Sequence, residues 1–339
     1  MSISQTFRYP DGAAPNIAAL AFTLLGWPLG VALLMLPSWW LNVLGFVLVV
    51  LTLVWSAYFI HEFAHMAIFR DGNVNVRWGT LMTWVNGSCF APFADLRRKH
   101  MRHHVERADV LTFNARGFLL RSPAWFRNTV LALEWAYVPA VEFIMRAYVI
   151  SLPFINERKR DRRLRIIGIA LVRVAAFALL GWLSLKALLL YFAAYMVFIT
   201  VLRFADCFQH TYDAYPILDD APIPKDKLRD AAYEQANTFS NVVGIDSFWL
   251  NLLWLNFGYH NAHHERPTLP WYRLPAYHRK LYGDDYVQVI PVRTLLKSFH
   301  VNRVKRVISD DYGAVAPHGS PGRADAFLGA VGVSFLTAV

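Results

Sequence analysis

Two cysteines, Cys89 and Cys207, are all that 339 residues contain, too few for a disulfide scaffold or a four-cysteine iron site. Charge is missing over a longer stretch, since residues 12–60 hold no Asp, Glu, Lys or Arg. That is enough chain for two helices of about 20 residues across a hydrocarbon core of ~30 Å. MSISQTFRYPDG lacks the basic region and small-residue cleavage site of a signal peptide, and the first apolar run continues into a second, so this stretch reads as retained. Acidic residues are the scarcer sign, giving a net charge of +10. The excess base could suggest nucleic acid, but it is concentrated in one loop between apolar runs. Anionic lipid headgroups and an acidic redox partner account for that placement better.

What the chain has instead is apolar content of 56% and aromatics at 15%, high for a soluble protein. The expected fold is an all-α membrane protein of about four transmembrane helices, 17–36, 41–60, 164–183 and 188–204, under a helical cap. Pro37 and the WWLN after it mark the first turn. Arg173, inside the third span, is expected to snorkel or to pair internally. Glu134 and Glu142 would be costly at the centre of a bilayer, so 122–155 reads as interfacial amphipathic helices, and part of 66–99 as another. A soluble helix is expected over 225–237 and an amphipathic one over 246–258. The loop joining spans two and three holds nearly all the loop Lys and Arg, including ERKRDRRLR at 157–165, while GWLSLK between spans three and four has only Lys186. The positive-inside rule then places both termini on the cytoplasmic side. Residues 1–311 read as one integral-membrane domain. Residues 312–339 read as a flexible tail, whose apolar end at 326–339 is too short to span and touches the bilayer.

Eight of the twelve histidines fall in three short clusters: HEFAH (His61, His65), HMRHH (His100, His103, His104) and HNAHH (His260, His263, His264). Spacings of i, i+3 and i+4 put imidazoles on one helix face with neighbouring Cβ atoms ~5–6 Å apart, which suits metal ligation. The four-span topology brings all three clusters to the cytoplasmic side, where a single site can be assembled. HEFAH also fits the zinc-peptidase pattern, in which Glu62 would be the base. One zinc needs only one further ligand, and the surplus of histidines favours two metals. Glu106 and Asp109, after the second cluster, are either part of a solvated helix face or carboxylates that orient ligand histidines through their free ring N–H. His278, His300 and His318 lack partners at metal spacing, and His278 reads as a packing or interfacial residue.

HEFAH, HMRHH and HNAHH, in that order and with a long hydrophobic region between the second and third, resemble the three histidine boxes of the membrane-bound fatty acid desaturase superfamily. PWYRLP downstream looks like the continuation of its third box, also seen in carotenoid ketolases. The resemblance implies an O2-dependent non-haem di-iron oxidoreductase acting on a lipid or acyl substrate. It also implies an additional ligand histidine at the cytoplasmic end of the fourth span, with an asparagine one turn earlier that holds water at the metal. His210 matches the histidine, and Asp206 stands where the asparagine would be. The implied ligand set is His61, His65, His100, His103, His104, His210, His260, His263 and His264, with Asp206, Glu62 and Glu106 as candidate water-binding or orienting groups. Desaturase, hydroxylase and ketolase outcomes share these motifs. The chain has no cytochrome b5-like segment, rubredoxin pattern, or flavin or nicotinamide fingerprint, so an external ferredoxin, rubredoxin or cytochrome b5 with its reductase is implied.

Overall fold

The computed structural model describes residues 3–216, 228–284, 286–313, 315, 324 and 326–339, and it is mostly helical. Four helices are long and apolar enough to cross a membrane: Pro10–Met35, Trp39–Ala64, Glu157–Leu183 and Leu185–Cys207. They match the expected spans, the first stopping one residue short at Met35, and run past most of their other ends. The second continues through His61 to Ala64 and is capped by His65, so the first histidine pair lies at the C-terminal end of that helix. The chain divides into two compact units.

The first unit comprises Met1–Ala94, Arg146–Ile199 and Val339. Its first two long helices pack through small residues. A Cβ on Gly30 would stand 3.1 Å from the Gly45 carbonyl oxygen, and one on Gly45 would stand 2.7 Å from that of Gly30. Such close backbone approach is how helices associate where no hydrophobic driving force separates them from lipid. Asn42 closes the turn between them, donating from Nδ2 to the carbonyls of Leu33 (2.8 Å) and Leu36 (3.0 Å). Lys186 donates to Asn42 Oδ1 at 2.8 Å. Arg173 takes the internal option, donating to the Trp84 carbonyl at 3.0 Å and lying over the Phe177 ring.

The second unit comprises Asp95–Met145 and Thr200–Ala338. Strands Asp109–Leu111 and Ala214–Pro216 pair in parallel with Asp109 opposite Ala214. Glu134 is buried against Arg203 and accepts from the Val141 N–H at 2.9 Å, so its charge is compensated inside the unit.

Three expectations are corrected. Residues 246–258 are not one helix: Phe248–Asn251 passes into a 3-10 turn, Leu252–Trp254, and stops where Leu255 and Asn256 take φ of 48° and 56°. The cause is local, because the Asn251 side chain binds the Val243 N–H and the Gly244 carbonyl, both at 2.9 Å, and offers the backbone an alternative to helix. The helix expected over 225–237 is Ala231–Ala236, capped by Asp230; residues 225–227 lie outside the described residues, as does His318. The third correction is the tail. Most of its described apolar end is buried, with Phe327 at 0%, Leu328 at 4% and Leu336 at 2% exposure. Ala330 donates to the Cys207 carbonyl and Leu328 to that of Tyr312, both at 2.7 Å. An uncharged run too short to span lipid is buried in the second unit's core instead.

Candidate metal centre

The second and third histidine clusters both belong to the second unit. His100, His103 and His104 ride on the helix Phe93–Glu106, and His260, His263 and His264 on the helix His260–Glu265. The third cluster is set by a close backbone approach. Asn241 donates to the Gly258 carbonyl at 2.8 Å, and a Cβ at Gly258 would lie 2.2 Å from the Asn241 carbonyl oxygen. His210 comes just after the fourth long helix, where the backbone bridges to Thr238. Its Nε2 lies 2.8 Å from that of His260 and 2.9 Å from that of His264. His104 Nε2 lies 3.2 Å from His100 Nε2 and 3.1 Å from His263 Nε2. Among the described residues of the unit, His103, His210 and His264 form one ligand group, His100, His104 and His263 present ring nitrogens within 4.8 Å of one another in a second, and His104, Glu234 and His264 form a third that overlaps both.

Hydrogen bonds at the far side of two rings settle which nitrogen faces inward. His103 donates from Nδ1 to the Ala108 carbonyl at 2.9 Å, and His264 from Nδ1 to Glu234 Oε1 at 2.9 Å. Both acceptors lack a proton, so the neutral rings direct Nε2 lone pairs into the cluster. Arg107, at φ 51° where the second-cluster helix ends, donates to Glu234 Oε2 at 2.8 Å and fixes that carboxylate. Burial alone would raise the Glu234 pKa, but the bonds from His264 and Arg107 outweigh it and hold the group below its usual range. Burial pushes His103 down to about 3, and burial followed by neighbouring imidazoles pushes His210 well below the ordinary value.

The donor set fits metal. A neutral imidazole carries one N–H, so His210 Nε2 cannot donate to two ring nitrogens at once. Lone pairs facing each other at this range need a cation between them. Nitrogens bound to one ion at ~2.0–2.1 Å lie about 3 Å apart, the spacing found here. Neutral imidazoles oriented by a carboxylate and a carbonyl suit iron.

Asp206 lines a cavity beside His210 together with Lys99 and Asp109. Burial lowers Lys99 to about 7 against the pull of Glu142, Asp109 and Asp206, and raises Asp109 to about 7 against the Tyr312 hydrogen bond and Lys99. Asp109 Oδ1 is 3.6 Å from His103 Nδ1 and 3.8 Å from His210 Nδ1, and Tyr312 donates to Oδ2 at 2.9 Å. Glu106 instead grips Arg102 through two bonds of 2.8 and 2.9 Å. In the first unit His61 and His65 are buried with ring centroids 4.7 Å apart, and Glu62 Oε1 is 3.6 Å from His61 Nδ1.

Glu234, Lys99 and Tyr312 were not singled out from the sequence. Glu234 sits in AAYEQA, 30 residues before His264, with no local pattern to mark it. Lys99 reads as one of several bases around the second cluster. His278 is fully buried among the rings of Tyr259, Tyr282 and Tyr286, and His300 bonds Tyr137.

No individually curated protein matches the chain. A family profile described as fatty acid desaturase matches residues 37–295, a span that includes all three histidine clusters and His210. The zinc-peptidase reading of HEFAH falls with that match, because the same profile takes in the later clusters and the metal-ready geometry they form. With four membrane-length helices and a buried histidine cluster able to hold metal ions, the chain belongs to the fatty acid desaturase family of enzymes.

Proposed function

We propose that the protein is an integral-membrane, O2-dependent di-iron desaturase that introduces a double bond into the alkyl chain of a lipid. The observation that carries this is the convergence of Nε2 atoms at 2.8–3.2 Å with the far nitrogens of His103 and His264 held as donors. Nine histidines form the ligand set: the seven of the second unit together with His61 and His65. Two bound irons would supply what no side chain can, the reductive activation of O2 for attack on an unactivated C–H bond. Glu234 and the Ala108 carbonyl keep their histidines in the metal-binding tautomer. Asp206, in the last turn of the fourth long helix and lining the same cavity as His210, would hold water or accept a hydrogen bond beside the metals. Removal of two hydrogens from adjacent methylenes, with one O2, two electrons and two protons, gives the alkene and two waters. The electrons come from an external ferredoxin, rubredoxin or cytochrome b5 with its reductase. The histidine site and both termini face the cytoplasm, as the Lys/Arg-rich loop indicates.

Metal analysis of the purified protein, with lipid mass spectrometry of cells with and without it, tests the reading. Two irons per chain and a lipid lighter by two hydrogens are expected. An alcohol or ketone product would move the enzyme to the hydroxylase or ketolase branch, and one zinc per chain would overturn the di-iron assignment.

A further inference from the structure

The cavity beside the histidines of the second unit has a mixed lining. His100, His103, His210 and His260 line it, and among its apolar groups are Val333 and Phe335. The Phe335 ring centroid lies 6.5 Å from that of His100. The space open to water-sized molecules is about 50 Å3, room for a few waters at ~15 Å3 each. Pockets that enclose a drug-sized apolar ligand take ~300–1,000 Å3. As the chain is folded, dioxygen or water fits next to the histidines and an alkyl chain does not.

What fills the remaining room is the protein itself. Val333 and Phe335 belong to the uncharged run AFLGAVGVSFLTAV at 326–339. Polar ties hold this part of it: Lys99 Nζ donates to the carbonyls of Ser334 (2.7 Å) and Thr337 (3.0 Å), and Thr112 Oγ1 lies 2.9 Å from the Thr337 carbonyl and 2.7 Å from its hydroxyl. Gly329 and Gly332 turn the run at φ of 76° and 83°, left-handed positions that glycine adopts without strain.

We propose that the room taken by Val333 and Phe335 is the binding site for a saturated alkyl chain, and that segment 332–337 is a plug the substrate displaces. The inference rests on the desaturase reading for the identity of the ligand. Burying an alkyl chain in place of a valine and a phenylalanine exchanges apolar area for apolar area, so what opposes displacement is the set of hydrogen bonds from Lys99 and Thr112. The entering chain would thereby reach the histidines that line the cavity, where there is no room for it while the plug is seated. Lys99 is the positioning residue that seats the plug.

The test uses the full-length protein in nanodiscs, with a photoreactive saturated C16 fatty acid as probe. Hydrogen exchange of residues 327–337 and the half-saturation of photolabelling are read together, neither of which needs turnover. Exchange in 332–337 should rise as the fatty acid is added, and Phe335→Ala should lower half-saturation by about tenfold. A variant lacking 332–339 should label at the lowest concentration and show no competition by the segment. Exchange that stays constant or falls on addition, with half-saturation unchanged in Phe335→Ala, would overturn the plug and make the segment a fixed wall. If the segment moves but cells show no unsaturated product, the desaturase reading fails alone; if lipids are desaturated while the segment stays protected, this inference fails alone.

Discussion

Glu234 shows how one side chain decides what a histidine can do. It is fastened by Arg107 at 2.8 Å and receives the His264 Nδ1 proton at 2.9 Å, so removing its oxygens frees the ring to rotate and to change tautomer. Loss of such an orienting partner costs about 10–100-fold in metal affinity. Glu234→Ala is therefore expected to weaken iron binding by that factor in a chelator competition, and Glu234→Gln by less, since its amide oxygen still accepts. His210→Ala is expected to lose iron and turnover outright, because its Nε2 lies within 2.9 Å of two other ligand nitrogens. His278→Ala should leave iron content unchanged. What His278 affects is stability against acid. Burial lowers it to about 4, whereas the unfolded chain titrates near ~6.5. As pH falls below the unfolded value the unfolded state takes up the proton first, so stability is present above ~6.5 and declines until the folded site protonates near 4. His278→Leu should flatten that part of the melting-temperature profile between pH 6.5 and 4, and a slope identical to wild type would mean other groups set it.

At the scale of elements, the long helices were readable because absence of charge over some 20 residues has few structural meanings. The helix ends were less so: Trp39–Ala64 runs on through His61 because its last turn is buried in protein, which no window of hydropathy registers. The break at Leu255 was hidden for a different reason. Its cause is a side-chain contact from Asn251 to residues 243 and 244, legible only once the chain is folded back. The same holds for Glu234, which meets His264 across 30 residues, while the histidines themselves were visible because their ligand spacing is local. Packing between the first two helices makes a prediction of its own. Gly45→Leu would drive a side chain into the Gly30 carbonyl, 2.7 Å from where its Cβ must stand. Overpacking of this kind costs about 1–3 kcal/mol. The expected result is a lower melting temperature in detergent and a smaller folded yield, with Gly45→Ala intermediate; unchanged melting of Gly45→Leu would mean that the two helices part without cost.

For the whole molecule, the relation between chemistry and membrane sidedness is partly fixed by distance. His104 of the second cluster and His263 of the third are 3.1 Å apart, so both clusters share a compartment. The chain between them contains two of the membrane-length helices, Glu157–Leu183 and Leu185–Cys207, and an even number of crossings returns it to the side it left. The outward faces of those helices fit such a course, with Leu164 and Trp182 each 82% exposed and Leu171 66% exposed, apolar surface that lipid would cover. Which compartment it is can be predicted from charge. The first turns of the third membrane-length helix carry ERKRDRRLR, at 157–165, whereas the turn between the third and fourth has Lys186 alone. Loops rich in Lys and Arg stay cytoplasmic, so a reporter fused after Arg165 should read as cytoplasmic and one inserted near Trp39 as external. An external signal after Arg165 would place the histidines away from cytoplasmic electron donors and require the donor to be sought on the other side, because the distance between the clusters does not allow them to be split across the bilayer.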